Sequence, residues 1–120
     1  MIIVDSSVWI AYLSRRSAAS LRPIERARLR ELLTAEEGQT ILMHPFVMGE
    51  LALGGLTSEK KALLDGLTPA TVASIDEVLN LIERSLVGRG VGYTDAHLLA
   101  SARLMQARLW TLDARLALAA

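Results

Sequence analysis

Apolar positions along the chain follow two rhythms. Short continuous runs, rich in β-branched residues at the start, appear at Ile2-Ile3-Val4, Thr40-Ile41-Leu42-Met43 and Ala107-Arg108-Leu109-Trp110-Thr111-Leu112. Such runs predict strands buried on both faces of a sheet. A fourth, short edge strand is expected over Ala70–Ala73, after a turn at Thr68-Pro69. Between the runs, apolar residues recur at helical spacing. One helix begins over Val8–Leu13, and one spans 21–37 with Leu21, Ile24, Leu29, Leu32 and Leu33 on one side. Pro45 opens a third, from Phe46 to Gly54, with Val47, Leu51 and Gly54 facing inwards. A short helix lies within 57–67, with Ser58 as its cap and Leu63, Leu64 and Leu67 inward. Ser74 and Glu77 have the spacing of a capping box ahead of a helix that buries Ile75, Val78, Leu79, Ile82 and Leu86. Thr94 caps the next helix, whose stripe is Leu98, Leu99, Ala102 and Met105. A terminal helix runs through Leu118. Strands alternating with helices predict an α/β domain around a mainly parallel sheet.

Four acids break these rhythms. The Leu98–Met105 stripe, extended one turn back, lands on Asp95, and Glu50 falls inside the stripe of the Phe46–Gly54 helix. Asp5 and Asp113 each close a buried strand and open a helix. Each alone has an ordinary reading: Asp5 and Asp113 as caps, Asp95 as a first-turn acid favoured by the helix dipole. Together they suggest more. In right-handed β–α–β connections the strand carboxyl ends and the following helix starts share one sheet edge. Asp5, Asp95 and Asp113 then converge, and Glu50 joins them if its helix crosses the front of the sheet. Several carboxylates in one place need compensation. An all-oxygen set suits Mg²⁺ or Mn²⁺ rather than zinc, and such an ion suits phosphodiester hydrolysis.

Composition narrows the alternatives. The 120 residues carry 13 basic and 13 acidic side chains, so global charge points to no nucleic acid. Locally, six arginines against two glutamates give residues 14–34 a net +4, through Arg15, Arg16, Arg22, Arg26, Arg28 and Arg30. That stretch reads as a solvated face or, more sharply, as a phosphate-backbone contact. The absence of cysteine excludes disulfides and thiolate metal sites and fits a cytoplasmic location. Nothing in the sequence reads as a signal peptide or a membrane span, and one domain over 1–120 is expected. The apolar content of 52 % leaves surface for a partner to cover. Gly88-x-Gly90-x-Gly92 lacks the strand and spacing of a nucleotide-binding loop, and Ser6-Ser7 is no nucleophile elbow. His44 and His97 lack ligand spacing and read as structural.

Four segments taken together resemble a known family. They are Ile2–Trp9 (IIVDSSVW), Pro45–Gly54 (PFVMGELALG), Tyr93–Ala100 (YTDAHLLA) and Leu109–Leu116 (LWTLDARL). In this order the chain resembles the PIN-domain ribonuclease toxins of the VapC type, from type II toxin–antitoxin systems. The resemblance implies a three-layer α/β/α sandwich around a short parallel sheet. It implies an Mg²⁺- or Mn²⁺-dependent endoribonuclease with Asp5, Glu50, Asp95 and Asp113 as the catalytic and metal-holding acids. Thr111 matches a hydroxyl position that supports the last acid, with Ser6 as a second supporting residue. On this reading Asp5, Glu50 and Asp95 hold the metal, while Asp113 binds a second ion or orients water. The implied partners are RNA, a VapB-type antitoxin, and a second copy in a homodimer or a toxin–antitoxin hetero-oligomer, with no membrane. The alternative is a PIN-like RNA- or protein-binding module without turnover, against which the intact acid set argues. A structure-specific DNA nuclease is a third reading, disfavoured by the small size.

Overall fold

The structure, a computed structural model, describes residues 1–13, Pro23 and 40–120. The expected 21–37 helix and the arginines of 15–30 therefore lie outside the described residues. Strand β1 (Ile2–Val4) leads into α1 (Ser6–Leu13), and β2 (Ile41–Met43) into α2 (Pro45–Leu53). Helix α3 (Ser58–Asp65), strand β3 (Thr68–Pro69) and α4 (Ile75–Leu81) follow, α4 running on into one π-turn over Ile82–Leu86. Helix α5 (Tyr93–Met105), β4 (Arg108–Trp110) and α6 (Ala114–Ala119) complete the order.

The sheet runs β3-β2-β1-β4 with every pairing parallel. Strand β1 is central, its Ile3 opposite both Leu42 and Leu109. Successive strand side chains point to opposite faces, and here both faces are covered. Ile2 and Val4 pack with Val8, Trp9, Val47, Leu51 and Leu64, from α1, α2 and α3. Ile3 packs with Leu42 and Ala102 of α5. On the same side Val78, Leu81, Leu86, Leu99 and Leu116 join α4, α5 and α6 into a second core. The result is a three-layer α/β/α sandwich.

Several details differ from the sequence expectation. Thr68-Pro69 is not a turn but the edge strand, and Ala70–Ala73 forms no strand. Thr68 pairs with Leu42 and Pro69 with Met43, and Ala70 N–H continues the ladder to the Met43 carbonyl at 2.9 Å. An edge strand tolerates proline because one of its sides needs no ladder donor. Thr57, not Ser58, caps α3, its hydroxyl accepting from Lys60 N–H. Gly92, not Thr94, caps α5: its backbone is extended and its carbonyl accepts from Ala96 N–H at 2.9 Å. That puts Asp95 at the third helical position. The capping box at Ser74 and Glu77 forms as expected. Beyond it, Ile75 and Leu79 are exposed while Leu81 is buried, so the core-facing stripe is rotated from the one expected. The π-turn, with its five-residue spacing, brings Leu86 into the core below Leu81. Leu63 and Gly54 are exposed rather than inward.

Candidate active site

Strand β1 delivers Asp5 to the carboxyl edge of the sheet, where its N–H adds one more ladder bond, to the Trp110 carbonyl at 2.8 Å. Its own carbonyl accepts from Val8 and Trp9, so Asp5 also starts α1. The side chain is buried, at 5 % exposure. Burial of a carboxylate demands hydrogen-bond donors, and three strong ones are present. Oδ1 accepts from Ser6 N–H at 2.8 Å, and Oδ2 from Ser7 Oγ at 2.8 Å and Thr111 Oγ1 at 2.7 Å. Ser7 and Thr111 commit their single protons to Asp5. Their lone pairs then take backbone donors: Leu112 N–H reaches Ser7 Oγ at 3.0 Å, and Asp113 N–H reaches Thr111 Oγ1 at 3.0 Å. The 3.4 Å approach of Ser7 to Thr111 is thereby a contact between two occupied donors. This lattice fastens the end of β4 to the start of α1.

Asp113 follows β4 and caps α6. Its Oδ1 accepts from Arg115 N–H at 2.9 Å and Leu116 N–H at 3.1 Å, while the residue stays exposed. The cap reading and a role at the sheet edge both hold for this residue, because one oxygen serves the helix. Glu50 was expected on a buried stripe and is instead exposed. Val47 and Leu51 carry that face of α2, and Glu50 stands at its margin, towards the sheet edge. There its Oε2 receives Ser6 Oγ at 3.3 Å.

Asp95, in the first turn of α5, is half-buried and makes no hydrogen bond to the described residues. Burial pushes its pKa from 3.8 up to about 6, and the charges of Asp5, Asp113 and Glu50 push in the same direction. Asp95 thus lies near enough to the other three acids to feel their charge, although 108 positions separate the first of the four from the last in sequence. No lysine or arginine among the described residues ion-pairs with any of them. No group of three or more His, Asp or Glu side chains among the described residues is close enough to ring a metal ion. The arrangement is thus a spread set of mutually repelling carboxylates. Its donor chemistry, all oxygen and all anionic, fits a hard divalent cation.

Sequence reasoning named Ser6 and Thr111 as supports and missed Ser7, which binds Asp5 at shorter range than the Ser6 hydroxyl does (2.8 against 3.5 Å). Its signal, a serine two residues after an aspartate at a helix start, is also that of an ordinary turn. His44 and His97 are both buried and structural in placement. His44 caps α2: Nδ1 accepts from Phe46 N–H, which leaves the proton on Nε2 to bond Ser101 Oγ at 3.0 Å. Burial, and then the neighbouring His97, lower its pKa to about 4.

The PIN domain family model matches residues 2–120. The chain belongs to the PIN-domain family. It is 44 % identical over 120 residues to the proteins named Ribonuclease VapC32 from two strains of Mycobacterium tuberculosis, an alignment covering 97 % of this chain and 87 % of those proteins. This places it among PIN domains of the VapC type. The crystal structure of FitAcB from Neisseria gonorrhoeae superposes with a TM-score of 0.67 at 17 % identity, covering 99 % of this chain and 92 % of that one. At that identity the likeness speaks for the fold alone.

Proposed function

We propose that this PIN domain is a metal-dependent endoribonuclease, the toxin of a VapBC-like toxin–antitoxin pair. The observation that carries the reading is the linkage of acids at one sheet edge: Thr111 joins Asp5 to the Asp113 backbone, Ser6 stands between Asp5 and Glu50, and Asp95 lies near enough for their charges to push its pKa up. The 44 % identity to proteins named as ribonucleases supports RNA as the substrate. Asp5, Glu50, Asp95 and Asp113 are the residues that would hold Mg²⁺ or Mn²⁺. When bound, the ion would supply Lewis acidity to a phosphate oxygen and make a bound water more acidic.

The protein's own part is positioning. Ser6 N–H, Ser7 and Thr111 fix both oxygens of Asp5, so this carboxylate cannot turn away from the edge. Thr111 also holds the backbone of Asp113, and Asp113 is fixed through Oδ1 while Oδ2 takes no helix donor. Asp95 has no local donors to satisfy it, so it is the acid that gains most from a cation. A VapB-type antitoxin is the proposed partner. The apolar groove beside Glu50, between Ile10, Leu13, Leu51 and Leu56, is surface that such a chain would cover. The proposed RNA substrate puts the pair in the cytoplasm; no described helix is long and apolar enough to cross a membrane.

The test is cleavage of total RNA by the purified chain, free of antitoxin, with Mg²⁺ or Mn²⁺. Discrete fragments that vanish with EDTA and in Asp95→Asn are expected. Cleavage that persists in either control would sink the proposal, and tight RNA binding with no cleavage would favour a silent binding module.

A further inference from the structure

Beside the acids lies an aromatic group that this chemistry does not use. The ring of His97 sits 4.5 Å from that of Phe46 and 4.8 Å from that of Tyr93, and Phe46 also meets His44 edge-on at 5.2 Å. The two histidines are buried, whereas Tyr93 is 54 % and Phe46 36 % exposed. Two rings therefore reach solvent from a fixed, buried base. Their places in the fold tie them to the acids. Phe46 precedes Glu50 by one turn on the same face of α2, a Cβ separation of about 5–6 Å. Tyr93 opens α5 two residues before Asp95, so the two point to different sides of that helix, and Tyr93 joins the group through His97, one turn further on.

We propose that Phe46 and Tyr93 form a stacking platform for an unpaired nucleobase of the RNA, adjacent to the phosphodiester at the acid cluster. The proposal rests on the ribonuclease reading above. Phe46 stands one helical turn from Glu50, close enough to meet a base next to a phosphodiester held at the acids. Charge favours this occupant. The acid cluster repels a phosphate backbone, so the substrate needs a hold near the cut that does not depend on charge. Stacking on an aromatic ring supplies one for any base. Rings already wedged against His97 lose little freedom when a base arrives.

The experiment first maps the bond that the wild-type chain cuts in total RNA. It then measures KM and kcat on a short RNA spanning that bond, and on the same RNA with an abasic residue beside the cut. Tyr93→Ala, on an exposed position, is expected to raise KM about five- to hundredfold with kcat little changed, and Tyr93→Phe to restore it. On the abasic RNA, wild type and Tyr93→Ala should coincide. Phe46→Ala should behave alike, with its circular dichroism and melting curve showing that it folds. Equal KM for wild type and Tyr93→Ala on intact RNA overturns the platform and leaves these rings to a protein partner. So does an equal loss on the abasic RNA. A wild-type chain that cuts no RNA overturns the ribonuclease reading itself, and the platform with it.

Discussion

Asp5 and Asp95 occupy the same edge of the sheet under opposite conditions. Asp5 is the more buried, yet a backbone N–H and two hydroxyls point at its oxygens. Asp95 is half-open, yet it has no described hydrogen-bond donor and three other acids press on it. Burial weighs on Asp95 because no described residue donates to its oxygens, while the deeper Asp5 carboxylate is held by three donors. One carboxylate belongs to the framework as well as to the site. The other belongs to the site alone and strains the fold that carries it.

Removing each acid should separate these roles. Both Asp5→Ala and Asp95→Asn should reduce RNA cleavage by about 100-fold or more, the scale of a lost charge-stabilising group. Their melting temperatures should move apart. Asp5→Ala strands one buried N–H and two hydroxyls and should destabilise by about 3 kcal/mol. Asp95→Asn removes a repelled charge and should stabilise at pH 7. Paired denaturation curves decide the matter: two shifts of the same sign would end the comparison.

The fastening between the two strand ends comes next. Thr111→Val keeps the shape but removes a donor to Asp5 and the acceptor for Asp113 N–H. A cost of about 2 kcal/mol is expected, the scale of a hydrogen bond to a charged group. Activity should fall with it, since Asp113 loses its backbone anchor. Urea unfolding and cleavage rates on one preparation would show whether the two losses travel together.

The Asp95 imbalance also fixes a pH dependence. Between about 4 and about 6 the folded chain retains a proton on Asp95 that the unfolded chain releases. The Asp95 contribution to metal-free stability should therefore fall as pH rises through that window and then level off. It is read as the difference between wild type and Asp95→Asn, because buried His44, with its pKa lowered to about 4, gives both chains an opposite slope. With the half-open carboxylate screened by solvent, the fall is about 1–2 kcal/mol. Melting curves from pH 4 to 7 in EDTA check it, with Asp95→Asn as the flat control for this contribution. Added Mg²⁺ should recover the loss at pH 7 in the wild type more than in the variant.

Much of this site was legible because three of its acids sit at element boundaries. Asp5 follows a buried strand, Asp113 follows β4, which is an edge strand with Arg108 exposed rather than the buried strand expected, and Asp95 extends an apolar stripe, so parallel topology brings them to one edge. Glu50 was legible as a member but not in its environment. The sequence shows that it shares a stripe with Val47 and Leu51 but not where the buried face ends. Edge strand β3 was hidden because Thr-Pro is common turn vocabulary, and only pairing with Leu42 and Met43 makes it a strand. The π-turn after α4 left no local mark either. Its consequence, Leu81 buried in place of Leu79, depends on what α5 presents to it.

Ser6 and Ser7 bring the comparison down to a single hydroxyl. They are identical neighbours in the sequence, and either could support Asp5. Ser7 Oγ gives its proton to Asp5 Oδ2 at 2.8 Å and accepts Leu112 N–H at 3.0 Å, so it bridges α1 to the end of β4. Ser6 Oγ stands 3.3 Å from Glu50 and 3.5 Å from Asp5, near the limit of useful bonding, with one proton for both. What Ser6 supplies at short range is its backbone N–H, which any residue but proline retains. Ser7→Ala should thus cost about 1 kcal/mol and leave the Leu112 amide without its partner. Ser6→Ala should cost less than about 0.5 kcal/mol and lower cleavage only through the looser hold on Glu50. If Ser6→Ala proved the more damaging of the two, the weak contacts at Glu50 would matter more to this site than the short bonds around Asp5. The division between a fastened and an unfastened side of the cluster would then have to be drawn on the other side of Ser6.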